Sequence, residues 1–86
     1  MGTVEINKIR QAFTDIGVDD VDGVADDESL LEAGILDSLK LIDVVEELQA
    51  RYKVRIRPTD LTPTNFDSLS AIKSLLDRLI IGSAKS

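Results

Sequence analysis

A small all-α bundle of three longer helices and one short helix is predicted by three features of this 86-residue sequence. A chain of this length forms one domain and buries only about 60 to 65% of the surface that its unfolded form exposes. The apolar fraction of 43% is almost wholly aliphatic, with two Phe and one Tyr as the aromatic residues. Apolar residues also recur at helical spacing in three segments. We therefore expect aliphatic helices packed on one another, without a deep cofactor pocket.

The first helix is predicted near the amino terminus. Its apolar stripe has spacings of three and four residues and consists of Ile6, Ile9, Phe13 and Ile16. Gly17 ends the helix. Residues 18–37 are rich in Asp and Gly and have no sustained period, which predicts a long loop with a short helical turn at residues 28–32. Loops of this length are uncommon in compact domains and are often functional.

The second helix is predicted from Ser38 to Tyr52. Its buried face follows the i, i+3, i+4, i+7 pattern and consists of Leu41, Val44, Val45, Leu48 and Tyr52. Residues 53–57 alternate charged and apolar side chains as a strand does. A single strand would have no partner in this chain, so we interpret these residues as an extended connector.

A short helix and a last long helix complete the bundle. Pro58 suits a first helical position, so it opens a short helix that continues through Leu61. Residues 62–65 predict a turn. Asp67 or Ser68 then caps the last helix, whose inward face consists of Leu69, Ile72, Leu75, Leu76 and Leu79. We expect residues 1–81 to form the domain and residues 82–86 to form a flexible tail.

The residue types that are missing exclude most self-contained chemistry. The chain has no cysteine and no histidine. Without them it lacks the usual zinc ligands, the usual general base, a cysteine nucleophile and any Ser-His-Asp arrangement. We therefore expect that the protein is not an enzyme, that it holds no metal and that it works with the active sites of other proteins.

The net charge of −6 is concentrated in one segment. Residues 15–47 contain 12 of the 16 acidic residues and a single basic residue, Lys40, which makes this segment −11 and the rest of the chain +5. A surface of one sign attracts a partner surface of the other sign. We expect no nucleic-acid binding, because the basic cluster at residues 51–57 is short and belongs to an acidic protein. With no membrane span and no signal peptide in the sequence, we expect a cytoplasmic monomer.

Ser38 stands where the acidic loop meets the second helix, and two roles are open to it. Its side chain could cap the first turn of the helix. Alternatively, its hydroxyl could carry a phosphodiester, since a helix amino terminus favours an anion. At 100° per residue, Leu39 lies opposite the buried face, among Asp43 and Glu46. An exposed leucine ringed by acids beside a hydroxyl is typical of a surface that a basic partner contacts.

The segment from Asp27 to Leu39 resembles the phosphopantetheine attachment region of acyl and peptidyl carrier proteins. The likeness rests on the acidic loop, the Gly-x-x-Asp-Ser-Leu junction that begins at Gly34, a short helix near Pro58 and the Phe-Asp-Ser-Leu start of the last helix. It covers nearly the whole chain and implies the small helical bundle of that family.

The resemblance also implies a cofactor, partners and roles for residues. A phosphopantetheinyl transferase would move 4'-phosphopantetheine from coenzyme A onto Ser38, and acyl or aminoacyl groups would then be carried as thioesters. A loading ligase or acyltransferase and downstream biosynthetic enzymes would be further partners. Asp37 would contact the transferase. The residues that the resemblance places on the docking surface are Leu39, Lys40, Asp43, Glu46 and Glu47. Lys40 departs from the family's frequent acidic or neutral choice, which argues against a partner that requires a wholly negative helix.

Two alternatives remain at this point. Asp-Ser-Leu recurs at residues 67–69, but there Asp67 and Ser68 have a sufficient role in capping the last helix. A helical adaptor that docks through Leu39 and the surrounding acids, with Ser38 only a cap, is the rival function. For a carrier, the charges at Lys40, Arg55 and Arg57 favour an aminoacyl, peptidyl or secondary-metabolite cargo over that of the very acidic fatty-acid carriers. The sequence does not encode the identity of that cargo.

Overall fold

The structure is a computed structural model that describes residues 4–84, with side chains described through residue 82. Its four α-helices are α1 (Ile6–Asp15), α2 (Ser38–Tyr52), α3 (Pro63–Phe66) and α4 (Leu69–Ala84). Two segments of 3-10 helix lie at Asp19–Gly23 and Pro58–Asp60, and residues 4–84 contain no strand. The all-α bundle with three longer helices and one short helix is confirmed. None of the helices in this range is long and apolar enough to cross a membrane.

Helix α1 packs against both α2 and α4. Ile9 and Phe13 are completely buried, and Ile6 and Ile16 pack at the edge of the core, so the predicted stripe is confirmed. The chain leaves the helix through Gly17, whose φ of +93° lies in the left-handed region that favours glycine.

The long acidic loop is packed into the bundle at its apolar residues. Val21 and Leu30 are fully buried, while the acidic side chains of residues 19–28 point outward. A helical turn follows Ser29, whose carbonyl accepts from the Ala33 N–H at 3.0 Å. This turn occupies residues 30–34, slightly later than the predicted one. The loop therefore reaches Ser38 from a fixed position.

Helix α2 buries Val44 and Leu48 completely and the rest of its predicted face partly. The residue that follows its last residue, Tyr52, is Lys53, which has a left-handed backbone with φ of 53°. The connector that follows is extended, with Val54 and Ile56 buried between exposed charged residues. Gln49 accepts a hydrogen bond from the Ile56 N–H at 2.9 Å, so a side chain satisfies the donor that a neighbouring strand would have satisfied.

The short helix lies later in the chain than the sequence predicted. Residues 58–60 form only a segment of 3-10 helix, and α3 occupies the segment that we read as a turn. Thr62 caps α3 by accepting from the Asn65 N–H at 3.3 Å, and Pro63 takes the first helical position. The threonine-proline pair therefore begins a helix. The last residue of this helix, Phe66, is 2% exposed and packs in the core.

Helix α4 supplies the largest buried face. Leu69, Ile72, Leu75 and Leu76 are each at most 2% exposed, and Leu79 is partly buried. The helix continues to Ala84, so the helical part of the chain extends past the predicted boundary at residue 81. The end of the expected tail, residues 85 and 86, lies outside the described residues.

Candidate functional site

Ser38 is the first residue of α2, and it is exposed. The residue that caps the helix is Asp37, whose Oδ1 accepts from the N–H groups of Leu39 at 3.0 Å and Lys40 at 2.9 Å. Of the two roles left open for Ser38, the structure gives the capping role to Asp37, because its carboxylate already satisfies those donors. The Ser38 hydroxyl makes no hydrogen bond to the described residues.

The same geometry corrects the idea of a free anion site at the head of α2. Asp37 occupies two donors of the first turn, and it brings its own negative charge. A phosphodiester on Ser38 would thus gain little from the helix terminus. What the junction offers is an accessible hydroxyl on a fixed helix.

The second Asp-Ser-Leu copy has a structural role. Ser68 Oγ accepts from the Ala71 N–H at 3.0 Å and so caps α4, as predicted. Asp67 accepts from the Ser29 hydroxyl at 2.7 Å, and its carbonyl accepts from the Leu30 N–H. These bonds fasten the acidic loop to the start of α4, where Leu69 is fully buried.

The outer side of α2 carries an exposed apolar pair. Leu39 is 77% exposed, which confirms the position predicted for it. Ile42 is 56% exposed, and the sequence analysis missed it, although it lies three residues later on the same side of the helix. Asp43 and Glu46 are exposed on this side too. We call these four residues, Leu39, Ile42, Asp43 and Glu46, the outer face of α2.

Two further residues that the sequence analysis groups with this surface, Lys40 and Glu47, lie at its edge, and Glu47 lines a surface depression with Asp43 and Glu46. Lys40 and Glu47 are partly buried, and at 100° per residue both lie outside the sector of Leu39 and Glu46. Glu47 accepts from Arg51 Nε at 2.6 Å, and Arg51 also pairs with Asp15 at the end of α1. Glu47 therefore helps to fix the far end of α2.

The Arg51 network is reflected in the acidity of its members. The hydrogen bonds from Gln11 and Arg51 lower the pKa of Asp15, and those to Glu47 and Asp15 raise the pKa of Arg51. Burial raises the pKa of the neighbouring Tyr52 phenol. The carboxyl-terminal end of α2 is thus tied to α1, while its amino-terminal end is left accessible.

A small apolar cleft of about 210 Å³ opens beside Ser38. Its lining comes from the acidic loop, the start of α2 and the segment around α3, and consists of Leu31, Leu36, Asp37, Ser38, Leu41, Leu61, Thr62, Pro63 and Phe66. Leu31 and Leu61 remain 43% and 40% exposed. The sequence does not predict this cleft, because its walls are brought together only by packing and one wall is α3, which forms where the sequence predicts a turn.

The site has an accessible hydroxyl but no group to activate it. The sequence has no histidine, and the nearest carboxylate, Asp37, is engaged with backbone N–H groups. Within the part of the chain that the structure describes, no cluster of His, Cys, Asp or Glu could hold a metal ion. Among the described residues, the Ser38 hydroxyl thus has neither of the usual activating partners of a catalytic nucleophile, an adjacent general base or a metal ion.

Comparison with known proteins agrees with this chemistry. Residues 7–78 match the family described as "Phosphopantetheine attachment site". The chain is 32% identical over 74 residues to the "Probable acyl carrier protein PigG" of Serratia sp. (strain ATCC 39006), a match that covers 86% of this chain and 82% of that protein. It is 30% identical over 70 residues to the "D-alanyl carrier protein" of Streptococcus uberis (strain ATCC BAA-854 / 0140J), covering 81% and 86%. The chain therefore belongs to the phosphopantetheine-binding carrier proteins, which hold biosynthetic intermediates on a covalent 4'-phosphopantetheine and are not themselves enzymes.

Proposed function

We propose that Ser38 carries the phosphopantetheine and that the protein delivers acyl or aminoacyl thioesters to partner enzymes. The observation that supports this most strongly is a difference in hydrogen bonding between the two candidate serines, Ser38 and Ser68. Ser38 has an exposed hydroxyl with no partner among the described residues, whereas the hydroxyl of Ser68 is used as a helix cap. The attachment reaction needs a hydroxyl that another enzyme can reach.

The residues around Ser38 fit such a group. The arm supplies the thiol that this chain lacks and that holds the cargo as a thioester. Asp37 keeps the first turn of α2 ordered through its two hydrogen bonds, so the attachment point stays in place. The apolar cleft beside Ser38 offers a surface where part of the arm or a short cargo could be shielded from water.

The outer face of α2 is the docking surface that we propose for the transferase and later enzymes. Leu39 and Ile42 would enter an apolar depression of the partner, and Asp43 and Glu46 would meet its basic rim. Asp37 lies next to this face and would be contacted by the transferase. Lys40 and Glu47 would have smaller effects, because neither is fully exposed.

For the cargo, we propose a short acyl or an aminoacyl group. The cleft of about 210 Å³ is small, and the two relatives are named for acyl and D-alanyl carriage. A loading ligase or acyltransferase would select the group. The cytoplasmic location remains a prediction from the sequence.

Modification in vitro tests the proposal. We expect the purified chain, incubated with Mg²⁺, coenzyme A and a transferase of broad specificity, to gain the mass of one phosphopantetheine. Ser38→Ala should gain none, while Ser68→Ala, the matched control, should gain one. An adaptor with the same docking surface would keep its unmodified mass.

Docking is tested in the same reaction. Leu39→Ala/Ile42→Ala should slow modification severalfold without changing the helical circular dichroism signal. The matched control is Ile81→Ala, because Ile81 is exposed on α4 and lines neither the cleft at Ser38 nor the outer face of α2. Equal rates for the double variant and the native chain would remove this surface from the proposal.

A further inference from the structure

A second and larger groove lies between the extended connector and α4. It has a volume of about 490 Å³ and shares no residue with the cleft at Ser38 or with the outer face of α2. Its lining consists of Arg55, Arg57, Asp60, Leu75, Arg78, Leu79 and Gly82. Nothing in carrying a cargo on Ser38 requires this groove.

The groove concentrates positive charge in a protein whose net charge is −6. Three of its lining residues are arginines and one is an acid. Arg55 is exposed and has no hydrogen bond or ion pair with the described residues. The Arg57 side chain is 67% exposed, and its Nε is 3.8 Å from Asp60, a separation too long for a strong pair.

Arg78 makes the most side-chain hydrogen bonds of the three arginines. Its Nε donates to the Ser74 carbonyl at 3.3 Å, and its Nη2 donates to Asn65 Oδ1 at 3.2 Å. These bonds hold the guanidinium at the groove while leaving its positive charge unneutralised by a carboxylate. An arginine held in this way is prepared to bind a carboxylate at a small cost in side-chain entropy.

The groove also has an apolar floor and an open end. Leu75, Leu79 and Gly82 follow at i, i+4 and i+7, so they share one side of α4. A Cβ built on Gly82 would meet nothing within 4 Å, so the groove is open where it passes this residue. The combination of aliphatic floor and basic walls suits a ligand with carboxylates and aliphatic side chains.

We propose that this groove is a second docking surface, which binds an acidic, leucine-containing segment of a partner protein. Such a segment would place leucines against Leu75 and Leu79 and its carboxylates against Arg55 and Arg78. This partner segment is acidic, whereas the partner surface expected at the outer face of α2 is basic, so one carrier could contact a basic and an acidic partner surface at once.

Charge and shape favour a peptide over other anions. An anionic membrane or a nucleic acid is a large negative surface and would be repelled by the acidic remainder of the chain. The groove is concave, whereas a lipid surface is flat at this scale. Its lining has no aromatic side chain on which a base could stack.

Amide chemical shifts of the ¹⁵N-labelled protein test this proposal. The probe is a short synthetic peptide of alternating glutamate and leucine pairs, compared with a peptide in which glutamine replaces glutamate. We expect saturable shifts at residues 55–60 and 74–82 with the first peptide, weakening as salt rises, and much weaker binding of the second. Unmodified and phosphopantetheine-loaded protein should respond alike, because the groove is separate from Ser38.

Two variants and a control complete the experiment. Arg55→Gln should weaken binding severalfold without loss of a hydrogen bond or ion pair among the described residues, and Arg78→Gln should weaken it at least as much. Lys8→Gln, which removes an exposed charge from α1, should bind as the native chain does. Shifts at other residues, native affinity of Arg55→Gln, or the same shifts with phosphatidylglycerol vesicles in place of the peptide would each overturn the proposal.

Discussion

The tripeptide Asp-Ser-Leu occurs twice in this protein, and the two copies have opposite roles. At the head of α2, Asp37 is the cap, the Ser38 hydroxyl makes no hydrogen bond to the described residues, and Leu39 is 77% exposed. At the head of α4, Ser68 is the cap, and Leu69 is fully buried. Helix α2 begins at the serine of its copy, whereas α4 begins one residue later, at the leucine of its copy. That single-residue shift decides whether the serine hydroxyl is available or occupied.

The surroundings explain the shift. In the second copy, Asp67 is held by the Ser29 hydroxyl, so it is turned to the loop and leaves the capping position to Ser68. In the first copy, the Asp37 carboxylate contacts the backbone of its own helix. The tripeptide alone therefore does not decide whether its serine hydroxyl is accessible, because the contacts of the aspartate differ between the two copies.

The largest difference in stability between the two copies is expected when their leucines, Leu39 and Leu69, are replaced by alanine. Leu69→Ala should lower the free energy of unfolding by about 2 to 5 kcal/mol, because it removes a fully buried side chain from the core. Leu39→Ala should change it by less than about 0.5 kcal/mol. Urea denaturation of both variants measures the difference. Similar losses for the two would show that Leu39 is not exposed.

An intermediate effect is expected for the two caps. Ser68→Ala and Asp37→Ala should each cost about 0.5 to 2 kcal/mol, since each removes the side chain that satisfies first-turn N–H groups. Ser38→Ala should cost almost nothing, in contrast to the loss that a capping role would predict. Asp37→Asn is the control that retains the cap. A large loss of stability for Ser38→Ala would show that Ser38, and not Asp37, caps α2.

The hydrogen bond between Asp67 and Ser29 should couple the effects of substituting these two residues on stability. The first copy has no such bond, because Asp37 bonds to the backbone of its own helix. Asp67→Ala and Ser29→Ala should each cost about 0.5 to 1.5 kcal/mol, and the double variant should cost less than their sum. A double-mutant cycle by thermal unfolding gives the coupling energy. Strict additivity would mean that the aspartate is not held by the loop.

The smallest effect is expected in amide exchange. The Leu30 N–H is bonded to the Asp67 carbonyl, so we expect it to exchange more slowly than the Ser38 N–H, which has no partner among the described residues. Residues 19–28 should exchange faster than the helices. Hydrogen exchange followed by nuclear magnetic resonance measures both, and uniform protection from residue 18 to residue 52 would contradict the expectation.

Much of this bundle could be predicted from periodicity. The stripes of Ile9 and Phe13 in α1 and of Leu69 and Ile72 in α4 are core faces because apolar side chains at helical spacing have to be buried together. The exposure of Leu39 followed from the same geometry. These features depend on residues close in sequence, which is the range over which periodicity is informative.

Sequence reasoning missed two kinds of feature. In one, adjacent residues are equally suited to the same role; in the other, the feature forms through contacts between residues distant in sequence. Asp37 and Ser38 are both good capping residues, and only the structure shows which one bonds to the first turn. Pro63 is compatible with a turn or a helix start, and the burial of Phe66 favours the helix. The apolar cleft needs Leu31 and Leu61 to meet across the fold, which no local pattern records.

The central claim is that phosphopantetheine is attached at Ser38 and not at Ser68, and peptide-level mass spectrometry of the modified protein tests it most directly. Trypsin separates the two serines, because Ser38 lies in the peptide 11–40 and Ser68 in the peptide 56–73. We predict the added mass in peptide 11–40 of the native chain, and no added mass in any peptide of Ser38→Ala. Phosphopantetheine on peptide 56–73, or on peptide 11–40 of Ser38→Ala, would contradict the account.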